Sequence, residues 1–76
     1  MNLTVEKRVG KNIRAIRLKA NMTQSMLCAK LQLEGCDITR SALAKIEVGQ
    51  RHLYPDELIL IKKILNTTYD EILDMF

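Results

Sequence analysis

Apolar residues recur along this chain at steps of three and four, and no stretch alternates apolar with polar at the period of a strand. That periodicity allows helices and little else. Val5, Val9, Ile13, Ile16 and Ala20 predict a first helix over about 5–20, ended by Asn21, a residue that tolerates the left-handed conformation. Thr23 can cap a second helix that buries Met26 or Leu27 and then Leu31, with Gly35 as its stop after Leu33. Thr39 or Asp37 can cap a third, which buries Leu43 and Ile46 and ends at Gly49. Gln50 to Leu53 read as a loop. Tyr54-Pro55-Asp56-Glu57 opens a fourth helix, with proline pre-set for the first turn and two acids favoured by the dipole. Its stripe is Leu58, Ile61 and Leu65, and Asn66 ends it. Thr68-Tyr69-Asp70-Glu71 has the form of a capping box for a fifth helix carrying Ile72, Leu73, Met75 and Phe76. The expected architecture is all-α, five short helices.

Seventy-six residues make one domain, near the lower limit for a core without staples. A content of 47% hydrophobic and 28% charged residues excludes disorder. No apolar run approaches the ~20 residues of a membrane span, and Glu6, Lys7 and Arg8 interrupt any signal sequence. A soluble, cytoplasmic domain is expected. Cys28 and Cys36 with the lone His52 fall short of the roughly four ligands zinc needs, so no metal and no cofactor is expected. Cys28 reads as a small core residue, Cys36 as a loop residue and His52 as an exposed loop side chain. No Ser/His/Asp or Cys/His spacing and no glycine-rich phosphate loop is present, which excludes an enzyme.

Charge is distributed unevenly. Residues 1–53 hold ten basic side chains against four acids, whereas residues 54–76 hold five acids against two lysines. A basic part and an acidic part fit a nucleic-acid binder with a separate non-contact end. Lys11, Arg14 and Lys19 are phosphate candidates on the first helix. The third helix has small or polar residues off its buried seam: Arg40, Ser41, Ala44 and Lys45. A helix entering the roughly 12 Å major groove needs such a face, and Arg40 can take guanine O6 and N7 bidentately.

With these features the chain resembles the lambda-repressor/Cro-like (Xre-type) helix-turn-helix family. The resemblance is carried by residues 9–17 (VGKNIRAIR), Met22-Thr23-Gln24, Leu27 to Leu31, Thr39 to Glu47, Gly49-Gln50-Arg51 and Thr68 to Leu73. It implies a five-helix DNA-binding domain whose helix-turn-helix spans about 23–48. It also implies a regulator of transcription, a small repressor of bacterial or phage type. Gln24 would hold a backbone phosphate, and Gln50 and Arg51 would hold phosphate past the recognition helix. Thr39, Arg40, Ser41 and Lys45 match base-facing or groove-facing positions. Arg17 and Glu47 match a structural ion pair joining the first helix to the end of the third. Four departures stand out, one of them Cys28 in place of the usual alanine, still small enough for close helix approach. The stretch from Leu31 to Thr39 is about five residues longer than the usual tight turn, and Leu33, Cys36 and Ile38 suggest an extra helical turn there. Val48 replaces the usual asparagine. Met26 stands where an acid commonly completes a capping box.

The fourth helix reads as more apolar than one stripe requires, with Leu58, Ile59, Leu60, Ile61, Ile64 and Leu65 covering most of its circumference. With Leu73, Met75 and Phe76 this patch over about 55–76 predicts a homodimer, and hence two recognition helices ~34 Å apart on a palindromic site. Cover by the arm from Leu3 to Val9 would instead leave a monomer. An antitoxin-like or adaptor module that binds a protein partner through helices four and five is the alternative function. No small-molecule effector site is evident.

Overall fold

The structure, a computed structural model, describes residues 2–74, and among these every regular element is a helix. The order is α1 (Leu3–Lys19), α2 (Gln24–Leu33), α3 (Arg40–Glu47), α4 (Pro55–Leu65) and α5 (Tyr69–Leu73). The helices start and stop where local chemistry directs. The hydroxyls of Thr23, Thr39 and Thr68 accept from the amides of Met26, Ala42 and Glu71, each at 3.1 Å. Asn21 and Asn66 stand in the left-handed region, as do Gly35 and Gly49. After α2, the Gly35 amide donates to the Gln32 carbonyl and the Cys36 amide to that of Leu31; Gly49 and Gln50 repeat the pattern onto Ile46 and Lys45. Both are Schellman closures, which need positive φ at the glycine.

Eight aliphatic side chains are almost wholly buried: Ile13, Leu27, Leu31, Ile38, Leu43, Ile46, Ile61 and Ile72. Each contributes about 1.5–3 kcal/mol on leaving water. Through them α1 packs on α3 and α5, and α2 on α3 and α4, so that α3 is held between the first two helices. Gly10 makes the α1–α3 approach possible. A Cβ there would run into the carbonyl oxygen of Ile46 and lie 2.9 Å from the carbonyl carbon of Glu47. At the other side Asn12 donates to the carbonyls of Ile72 and Asp74, and Arg8 also donates to Asp74, strapping α5 to α1. Burial pushes the thiols of Cys28 and Cys36 above their ordinary value, so both remain protonated at neutral pH.

Several expectations need correction. The first helix begins at Leu3 because Asn2 caps it, accepting from the Val5 amide, and it ends at Lys19. Val5 and Ala20 are exposed at its two ends, beyond the neighbours that bury Val9 and Ile13. In the second helix it is Leu27 that is buried, and Met26 faces water. The link from Glu34 to Thr39 holds no extra helical turn. Leu33 is 89% exposed, while Ile38 (1%) enters the main core and Cys36 packs against it. Only half of the capping box at α5 forms, because the Glu71 carboxylate accepts from the Thr67 hydroxyl instead of the Thr68 amide. The apolar surplus of α4 is also smaller than its sequence suggests: Leu58, Leu60 and Ile64 pack against the core, and Ile59 alone of the six is exposed. Met75 and Phe76 lie outside the described residues.

Candidate nucleic-acid interface

On α3 the spacing of buried residues dictates what faces out. Leu43, Ile46 and Glu47 point inward. Positions 40, 41, 44, 45 and 48 form the opposite arc, with Arg40, Ser41, Lys45 and Val48 exposed and Ala44 half-buried. Thr39, also exposed, caps the helix at the same end as Arg40. Among the described residues no side-chain hydrogen bond engages Arg40, Ser41 or Lys45, so their donors are available. The face is short, carries two cations and has no bulky aromatic side chain.

Arg40 also lines an open groove with Thr23, Gln24 and Ser25 from the start of α2 and with Arg17 and Leu18 from the end of α1. Three helix ends therefore converge there. The stripe Lys7, Lys11, Arg14 and Leu18 runs along α1 at steps of three and four, from Lys7, which crowds Gly49, to Leu18 at the groove. This places Lys11 and Arg14 on the side of α1 that borders α3. Lys19 does not join them; it lines a groove between α1 and the α4–α5 connection with Leu65 and Glu71.

Beneath the groove lies the most buried charge pair among the described residues. Arg17 Nε donates to Glu47 Oε2 at 2.7 Å and Nη2 to Oε1 at 3.0 Å. Both side chains are nearly inaccessible, at 6% and 1%. Arg17 Nη1 closes the α1–α2 turn by donating to the Met22 carbonyl at 2.7 Å. Gln24, expected to face phosphate, is half-buried and donates through Nε2 to Glu47 Oε1 at 3.1 Å.

The loop after α3 lies where the sequence places it, over residues 50–53. Gln50 is exposed, and its amide is used in the α3 closure. Arg51 is no free loop cation. Its Nη1 and Nη2 grip both carboxylate oxygens of Glu57 at 2.9 and 3.0 Å, Nη1 also donates to the His52 carbonyl, and the guanidinium lies 5.8 Å over the Tyr54 ring. Its Nε and one Nη2 hydrogen remain for an outside acceptor. Burial pushes the Glu57 carboxyl up. The hydrogen bonds from Arg51 and from the Tyr54 amide, with the Coulombic pull of Arg51 and His52, outweigh it and hold the group below the ordinary glutamate range. The same bond raises Arg51. His52 is exposed as expected, but its Nδ1 lies 2.9 Å from Glu6 Oε1 and its ring meets Tyr54 edge-on at 4.7 Å.

Sequence reasoning missed Gly10, Lys7, Glu57 and the Gln24–Glu47 bond. Glu57 carried one usable signal: a glutamate three residues after a helix's first cap position, able to reach back to the cap amide.

A family model described as helix-turn-helix matches residues 13–72, from the last two turns of α1 through α2, α3 and α4 to Ile72 in α5. No curated protein and no solved structure matches the chain.

Proposed function

The chain belongs to the lambda-repressor/Cro-like (Xre-type) helix-turn-helix family, whose members are DNA-binding regulators, and from that premise we propose that it is a small sequence-specific repressor that lays α3 in the major groove. The observation that carries this reading is the outward arc of α3, where Arg40, Ser41 and Lys45 keep their side-chain donors free beside the capped start of the helix. In it Arg40 reads a guanine edge, and Thr39, Ser41, Ala44 and Lys45 complete the base-facing set. Gln24, Gln50 and Lys11 hold phosphates, and Arg51 adds its Nε while Glu57 keeps the rest of the guanidinium fixed. Phosphates supply most of the affinity and the α3 side chains the specificity. A second copy docks through α4 and α5, where Ile59, Tyr69 and Leu73 are exposed, and sets the two α3 helices one duplex turn apart.

Selection of bound duplexes from a random-sequence library tests this reading. The wild-type chain is expected to enrich a two-fold symmetric motif, and the variant with Arg40→Ala and Lys45→Ala, folded by circular dichroism, is expected to enrich none. The same motif emerging with that variant would overturn the assignment of α3. An antitoxin-like or adaptor role takes precedence if neither protein enriches any motif and a protein partner is captured equally by both.

A further inference from the structure

We infer that Glu47 is a positioning residue for phosphate recognition: it holds the Gln24 side chain in the one amide orientation that can donate to DNA. This rests on the proposed reading of Gln24 as a phosphate contact and names what makes that contact possible.

A glutamine amide has two faces, an accepting oxygen and a donating nitrogen. Phosphate oxygens only accept, so a freely turning glutamine is unproductive for part of its time. Gln24 does not turn freely. Its amide meets Glu47 Oε1 at 3.1 Å, and a carboxylate also only accepts, so the nitrogen is the atom that faces it. One hydrogen of Nε2 is spent on Glu47, and the other remains for an acceptor in the open groove shared with Thr23, Ser25 and Arg40.

Glu47 can do this because it is itself immobile. Arg17 grips both of its oxygens, and Arg17 is in turn tied to the Met22 carbonyl one residue before the cap of α2. The side chain of Glu47 is 1% exposed, so water does not compete for the oxygen that Gln24 uses. The buried pair therefore reaches the surface through one neutral amide. Freezing that rotamer before DNA arrives removes an ordering cost of binding.

The test is a cycle of affinities measured by fluorescence anisotropy on a random-sequence duplex at about 50 mM salt, since a phosphate contact needs no particular site. Gln24→Ala is expected to weaken binding about three- to tenfold, the net worth of one ordinary hydrogen bond. Replacing the pair together, Arg17→Met with Glu47→Met, removes the anchor without leaving an unpaired buried charge, an exchange that cores often tolerate. That double variant is expected to show the same loss, with no further loss when Gln24→Ala is added, while Lys45→Ala costs the same factor in both backgrounds. Full affinity in the double variant, or an undiminished cost of Gln24→Ala within it, would overturn the inference.

A second measurement does not depend on that variant folding. In the free wild-type protein the side-chain amide of Gln24 is expected to show a rigid heteronuclear NOE, unlike those of exposed Gln32 and Gln50. Equal mobility for all three would also overturn the inference. Absence of duplex binding by the wild-type chain would strike the proposed function itself. Binding by the wild type that Gln24→Ala leaves unchanged would overturn this inference and the phosphate role of Gln24, and would leave the rest of the proposed function standing.

Discussion

Gly10 and Gly35 show how differently one residue type can be constrained. Gly35 stands at φ +82 with nothing within 4 Å of an added Cβ, so it is needed for its backbone conformation alone. Gly10 sits inside a helix with ordinary dihedrals and is needed for space, because the backbone of Ile46 and Glu47 occupies the volume a methyl group would fill. Backbone cannot step aside as the end of a side chain can. Gly35→Ala is expected to cost about 1 kcal/mol of strain. Gly10→Ala is expected to cost about 2–3 kcal/mol through overpacking, even though alanine is the better helix former. In a domain of this size that lowers the thermal midpoint by roughly 10–20 °C, against a few degrees for Gly35→Ala. Thermal melts of the two variants check the ranking, and equal shifts would mean that α1 moves off α3 at little cost. The two glycines also differ in how far sequence exposes them. A glycine at a helix end announces itself, whereas the close approach at Gly10 depends on a helix more than thirty positions away.

The same division runs through the elements. Helix existence, the threonine caps and the asparagine and glycine stops were legible because each depends on neighbours within four or five residues. The outward arc of α3 was legible too, since burial of Leu43 and Ile46 dictates the opposite face. The α3–α4 loop was not. Arg51 looks like a solvated loop cation until Glu57 of the next helix and the Tyr54 ring are brought against it. Likewise Leu33 and Ile38 are similar residues either side of a turn, yet Ile38 joins the core and Leu33 is exposed, a difference that no local pattern marks. Glu57 gives this loop a pH dependence. Its carboxyl is held below its ordinary value in the folded chain, so its contribution is fully present above the unfolded value of about 4.3. It is lost as pH falls through the lower, folded value. The stability difference between wild type and Glu57→Gln, from urea titrations, is expected to be constant from about pH 7 to 5 and to shrink below about pH 4. A difference unchanged down to about pH 3 would mean that the Arg51 contact does not favour the charged carboxylate.

At the scale of the whole molecule, charge is distributed unevenly over the fold. The free donors of α3, the groove at the start of α2 and the basic stripe of α1 gather on one side. Asp56, Asp70, Glu71 and Asp74 belong to the later helices and their ends. That polarity is what an approaching polyanion would sense before any base is touched. The α1–α5 strap through Asn12 and Arg8 ties the acidic end to the basic one. The most direct measurement is a fluorescence-anisotropy titration of the duplex enriched by selection against its shuffled sequence, at about 50 and 200 mM salt. Tighter binding to the enriched duplex at both concentrations, with a steep loss of affinity for each duplex as salt rises, is the predicted result. No binding to either duplex at the lower salt would contradict the account.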